Sequence, residues 1–183
     1  HIVEEAAPQI DPAPMGEASF AIISTALGVD IDARAKALGV AVDGAVLEPI
    51  TLTFYHAGKQ IPGSMVANAH NVLQDVSIKV GQFMTNYDAI LSPVLASPAA
   101  PIGVHDLTKA DFAKWGAAAA AYIPFPGLFN MTGQPSMSVP LAMSQSGLPI
   151  GIMFTGRYGD EATLLRLAGH LERAAPWFDR MPK

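Results

Sequence analysis

Between Ser64 and Met84 apolar residues recur every three or four positions, at Met65, Ala69, Val72, Val76, Val80 and Phe83. His70, Asn71, Gln74 and Lys79 fall off that stripe, so the segment reads as one long amphipathic helix. Asp11-Pro12-Ala13-Pro14 reads as a stop, followed by a helix from Met15 to Leu27 that turns Phe20, Ile23 and Leu27 inward and ends at Gly28. Asp30 then caps a short helix through Leu38, closed by Gly39. Pro49 suits the first position of a helix ending at Gly58, since proline there loses no needed N–H. Thr108 or Asp111 opens an alanine-rich helix to about Tyr122, which Pro124 and Pro126 terminate. The last helix runs from Asp160 to about Ala174, with Leu164, Leu167, Ala168 and Leu171 on one face and Arg166, His170 and Arg173 on a solvated one.

Period-two alternation marks the strands. Ser136-Met137-Ser138-Val139 alternates polar and apolar, as do Ile150, Ile152 and Phe154 around Gly151 and Met153. Gln145 to Pro149 lies between them, so Ser136–Leu141 and the following strand form a hairpin with Pro140 and Pro149 near strand ends. Ala89-Ile90-Leu91 is an apolar run short enough for a buried strand. This run and Ser136–Leu141 read as interior strands needing neighbours on both edges. His1 to Glu5 reads as a further strand. Ile123 to Phe129 reads as an irregular apolar wall, and Asn130 to Pro135 as a turn, because Asn, Gly and Pro each favour turns for a different backbone reason. The expected class is α/β: strands of a mixed sheet covered by helices.

Composition narrows the function. Of 183 residues, half are hydrophobic and 15% charged, which suits a globular chain that packs against more protein. The net charge of −5, with no basic run, argues against nucleic acid or an anionic membrane as partner. No apolar run approaches the ~20 residues of a membrane span. The absence of cysteine removes disulfide and thiolate chemistry. The histidines at 1, 56, 70, 105 and 170 show no HxH or HxxxH spacing, so none is expected to bind metal. There is no Gly-x-Ser-x-Gly elbow, GxGxxG or P-loop. Ser136 and Ser138 have no base beside them in sequence, and Asp160-Glu161 reads as helix N-terminal charge rather than an acid/base pair.

The order of the motifs says more than their propensities. Asn130-x-Thr132-Gly133-x-Pro135, then Ser138-Val139-Pro140, then Gly147-Leu148-Pro149-x-Gly151, then Gly156, resembles the C-terminal hallmark of the amidase signature family. Upstream, Tyr87-Asp88 leading through a strand to Ser92-Pro93, then Pro98-Ala99 and Ile102-Gly103, is similar to a preceding family segment. Gly159-Asp160-Glu161 before a helix resembles the family's closing helix, and Leu47 to Thr51 is similar to another segment. The closing residues Arg157 to Ala168, with Pro176-Trp177-Phe178, look most like bacterial general amidases and cyclic amide-oligomer hydrolases of the nylon-degrading kind.

The resemblance implies carboxamide hydrolysis by a Ser–Ser–Lys triad with no cofactor, the lysine neutral so that it can accept a proton. Nothing like that family's glycine- and serine-rich signature occurs here, and the lysines at 36, 59, 79, 109 and 114 match no catalytic context. No catalytic residue is therefore carried over. The expectation is that residues 1–183 form the C-terminal portion of an amidase domain, with the N-terminal catalytic half of the same fold as partner. A cytoplasmic location is expected, and a homodimer is allowed. The family's pocket-lining segment corresponds to Ile123–Phe129, so Phe125, Leu128 and Phe129, with Asn130, are the candidate substrate-binding residues. A charge-free wall favours an apolar or linear aliphatic amide. Two other classes stand beside this reading: a non-enzymatic scaffold or assembly subunit, and the amidase subunit of a glutamine-dependent amidotransferase. The wall offers the latter no charged group to recognise glutamine.

Overall fold

The computed structural model describes residues 1–109 and 111–179. In chain order the elements are α1 (Pro12–Leu38), α2 (Pro49–Gln60), α3 (Gly63–Met84), β1 (Ala89–Pro93), α4 (Phe112–Tyr122), α5 (Pro126–Thr132), β2 (Ser136–Met143), β3 (Pro149–Gly156) and α6 (Glu161–Ala174). Two compact units result: one of residues 10–76 and 101–120, the other of residues 1–9, 77–100 and 121–183. The class is α/β, as the residue pattern implies.

The first unit is helical. Its α1 overturns the expected stop and break, since Asp11-Pro12-Ala13-Pro14 starts the helix instead of ending the chain before it. Asp11 accepts the Ala13 amide at 3.0 Å and Pro12 fills the first turn, where an N–H would have no partner anyway. Gly28 does not end the helix but lies buried inside it, where an added Cβ would reach the Tyr55 carbonyl oxygen of α2 at 4.0 Å. Close helix packing there replaces the expected terminus, and Asp30 lies mid-helix rather than at a cap. Gly39, at φ 65°, is the true end.

Gly58 likewise lies inside α2, which continues to Gln60. A Cβ on Gly58 would stand 2.0 Å from the Ser24 carbonyl oxygen, so glycine lets the backbones of α1 and α2 approach this closely. Ala18, Ala21 and Ala69 form a small-residue core packed by Ile22, Ile61, Val72 and Leu73. Phe54 and Phe112 stack edge to face at 5.0 Å, and Phe20 and Trp115 complete an aromatic group. Asp111 caps α4 by accepting the Lys114 amide. On the surface, Asp32 accepts from Tyr55 at 2.8 Å and from Lys59, tying α1 to α2.

The second unit holds a three-stranded sheet in the order β1-β3-β2, antiparallel throughout where a mixed sheet was expected, because β1 and β2 both run against β3. The β2–β3 hairpin forms as the alternation predicts, with a register shift between Val139 and Ala142 where Pro140 interrupts the ladder. Gly147, at φ 80°, makes its turn. In this sheet β3 is the strand paired on both sides, whereas β1 and β2 are edges. Leu91 is exposed, contrary to the expected buried interior strand, because alternate side chains of β1 take opposite faces and Leu91 lies on the less covered one. The expected strand at His1–Glu5 is also absent: these residues have no regular structure, pair with neither open edge of the sheet and are exposed, so no apolar face of theirs is buried.

Arg157, just after β3, donates from Nε to the Met84 carbonyl at 3.1 Å and from Nη2 to Asp88 at 2.9 Å. Arg157 thereby joins the end of β3 both to the end of α3 and to Asp88 of the Tyr-Asp motif. Asp160 caps α6 by accepting the Thr163 amide, and Leu164 packs against Gly156. Among the described residues no helix is long and apolar enough to cross a membrane.

Candidate substrate-binding wall

The segment expected to be an irregular wall and a turn is largely a helix. Phe125 occupies the N-cap position, Pro126 the first helical position, and Gly133 closes α5 at φ 77° by donating its amide to the Phe129 carbonyl. Pro126 supplies a preset φ for a helical first turn, and this outweighs the turn propensities of Asn130 and Gly133 downstream. Only the last part of the expected turn, Gly133 to Pro135, is non-helical.

Helical geometry brings the candidate residues together. Phe125, Leu128 and Phe129 are spaced i, i+3 and i+4 and so share one side of the turn, while Asn130 is rotated away. Phe129 is buried, Phe125 and Leu128 are half-buried, and Asn130 is exposed.

What holds the wall in place is a set of polar contacts that residue patterning did not single out. The Thr132 hydroxyl donates to the Leu128 carbonyl at 2.9 Å and meets the side-chain carboxamide of Gln134, and both residues are buried. The Pro135 carbonyl accepts the Gly156 amide at 2.9 Å. Ser136 Oγ lies 2.8 Å from Thr155 Oγ1, whose side chain is fully buried. Tyr158 packs over Gly133, where a Cβ would be 3.2 Å from the ring. The Asn-x-Thr-Gly-x-Pro motif is thus a lock between α5 and the first residues of the hairpin. Gly is required at 133 both for its positive φ and for the ring above it. The sequence signal was the motif itself, which places Thr132 and the glycine where no periodicity would ask for them.

The titration chemistry is that of structure rather than of a reaction centre. Thr163 hydrogen bonds, from side chain first and then backbone, hold the Asp160 carboxyl below its ordinary range. Tyr87 is raised, chiefly by its hydrogen bond to Glu4. The Lys59 and Tyr55 hydrogen bonds lower Asp32, and Asp32 in turn raises Lys59. Lys59 is therefore held in its charged form, the opposite of what a general base needs. Ser136 faces a hydroxyl, not a base, and Ser138 is exposed on β2. Among the described residues no group of three or more His, Asp or Glu is placed to hold a metal.

Comparison with known proteins gives the class. The family model described as Amidase matches residues 25–165, and the chain belongs to that family. It is 35% identical over 142 residues to a putative amidase, AmiC, of Mycobacterium leprae (strain TN), covering 77% of this chain and 30% of that protein. It is 27% identical over 183 residues to the 6-aminohexanoate-cyclic-dimer hydrolase of Paenarthrobacter ureafaciens, covering 94% of this chain and 37% of that protein. A solved structure of 6-aminohexanoate cyclic dimer hydrolase superposes with a TM-score of 0.80 at 25% identity over 96% of this chain and 38% of its own. A bacterial aryl acylamidase of the amidase signature family shares the fold at a TM-score of 0.69 and 20% identity, over 93% of this chain and 35% of its own. The chain spans about a third of the length of the curated relatives it matches.

Proposed function

We propose that this chain supplies scaffold and one pocket wall to an amide hydrolase that converts a carboxamide to carboxylate and amine. The observation that carries the proposal is the amidase family match across residues 25–165. In this reading the nucleophilic serine, the bridging serine and the neutral lysine base come from the part of the fold that its relatives possess beyond the span matched here. That part is the partner of this chain, and the intact unit works in the cytoplasm on a small-molecule amide.

The charge-free side of α5 is the acyl or amide-substituent wall. Phe125 and Leu128 contact substrate, Phe129 backs them from the core, and Asn130 faces solvent at the rim. An apolar wall binds aliphatic chain and offers nothing to a glutamine α-amino or α-carboxylate group, which favours hydrolysis of an aliphatic amide over transamidation.

The experiment is selectivity in an intact enzyme containing this segment. Phe125→Ala and Leu128→Ala are expected to change kcat/KM ratios between short and long aliphatic amides by about tenfold, the scale of one or two methylene contacts. Unchanged ratios with lowered stability would make these residues core. Hydrolysis by the 183-residue chain alone, abolished by Ser136→Ala or Ser138→Ala, would overturn the placement of catalysis elsewhere.

A further inference from the structure

His1 and His170 lie 169 positions apart in sequence yet face each other, with Nε2 of His1 3.3 Å from Nδ1 of His170. The rings are 5.4 Å apart at centroid and inclined by 71°, and both residues are exposed. Two ring nitrogens at this distance cannot both carry protons directed at each other. At least one must present a lone pair, which is the state that ligates metals. A late first-row divalent ion binds imidazole nitrogen at about 2.0–2.1 Å, and a tetrahedral angle then sets two such donors about 3.3–3.4 Å apart. The observed spacing matches that tetrahedral edge, so an ion seated to one side of the line between the two nitrogens would need the exposed rings to turn towards it but the two nitrogens neither to part nor to close.

We propose that His1 and His170 form a two-imidazole site for Zn²⁺ or a neighbouring late transition ion, with water completing the coordination. Imidazole favours such ions over Mg²⁺ or Ca²⁺, which prefer oxygen donors. Arg166 and Arg173 share this face of α6, and their charge weakens the site. The Arg166 guanidinium is turned back to Thr163 at 2.8 Å, the Arg173 guanidinium lies near Gly169, and solvent screens both. The site is independent of the substrate wall. Its effect would be to clip the unstructured residues at His1–Gln9 to α6, closing a very long loop.

The test is Zn²⁺ titration of an intact, untagged amidase containing this segment, in which no free α-amino group is offered at His1. Calorimetry should show one saturable site at about pH 7.5, the melting temperature should rise with zinc concentration, and acidification to about pH 5 should abolish both. His1→Ala and His170→Ala should each remove the site, and His70→Ala should keep it. Zinc binding that survives His170→Ala, or no saturable binding up to millimolar zinc, overturns the proposal.

Discussion

Gly58→Ala is the substitution whose sign ordinary helix propensity gets wrong. Alanine in a helix interior is favoured over glycine by about 1 kcal/mol. At this position, however, the new methyl would stand 2.0 Å from the Ser24 carbonyl oxygen, 2.5 Å from its carbon and 3.1 Å from the Thr25 nitrogen. Ordinary contact lies near 3.5 Å, so α1 and α2 must separate by about 1.5 Å where they cross. The obstacle is backbone and cannot rotate aside. Ser24 is fully buried and Ala21 is 1% exposed, so the separation opens a packed region. Overpacking of this kind costs about 1–3 kcal/mol, and a rigid obstacle belongs at the upper end. Subtracting the propensity gain leaves a loss of about 2 kcal/mol, or roughly 4–8 °C in melting temperature for a chain of this length. Equilibrium urea unfolding and thermal melts measure it, with Gly16→Ala and Gly81→Ala as controls. Both controls lie in helices with open space around the new methyl, and each should gain up to about 1 kcal/mol. If Gly58→Ala is as stable as those controls, the reading of a glycine-enforced helix crossing is wrong.

Two further outcomes follow from the polar contacts. Thr132→Val should destabilise by about 1–3 kcal/mol, because the buried Gln134 carboxamide and the Leu128 carbonyl both lose the hydroxyl, while Thr132→Ser should recover most of it; equal urea midpoints for the two variants would dissolve the proposed lock. Asp32 and Asp160 are both lowered in the folded chain, so their stabilising contribution is complete above the ordinary value of 3.8 and is lost as pH falls through their folded values. Raised Lys59 acts oppositely: its contribution is present below 10.5 and is lost as pH rises past its folded value. The double variant Asp32→Asn and Asp160→Asn should therefore show a flatter acid limb in a plot of urea midpoint against pH, and an unaltered limb would count against both assignments.

The long periodic elements were legible in the sequence. Residues 64–84, the β2–β3 hairpin and the closing helix carry enough repeated apolar positions for period alone to identify them, and the family was legible from motif order. The misread helix boundaries share one cause, the ambiguity of glycine and proline. Gly28 and Gly58 read as terminators because glycine weakens helices locally, yet both are embedded in helix where α1 and α2 come close. Pro12 and Pro126 read as stops or irregularity, yet each sits in a first helical turn, where proline costs no hydrogen bond. Close approach is a property of two segments, and no single-segment pattern contains it. The wall residues were found by resemblance, and their shared side came from the helix. The motif marked Thr132, but its partner Gln134 stayed hidden because buried polar residues look like surface in a sequence.

The aromatic group around Trp115 has a spectroscopic consequence. The chain holds two tryptophans, and they are divided between the compact units: Trp115 among Phe20, Phe54 and Phe112 in the helical unit, Trp177 in the unit that contains the sheet. Each unit therefore carries its own intrinsic fluorophore. Trp177→Phe leaves an emission signal that follows only the helical unit, and Trp115→Phe one that follows only the other. Coincident denaturation curves for the two single-tryptophan chains would define one cooperative transition, and separated curves would give each unit a free energy of its own.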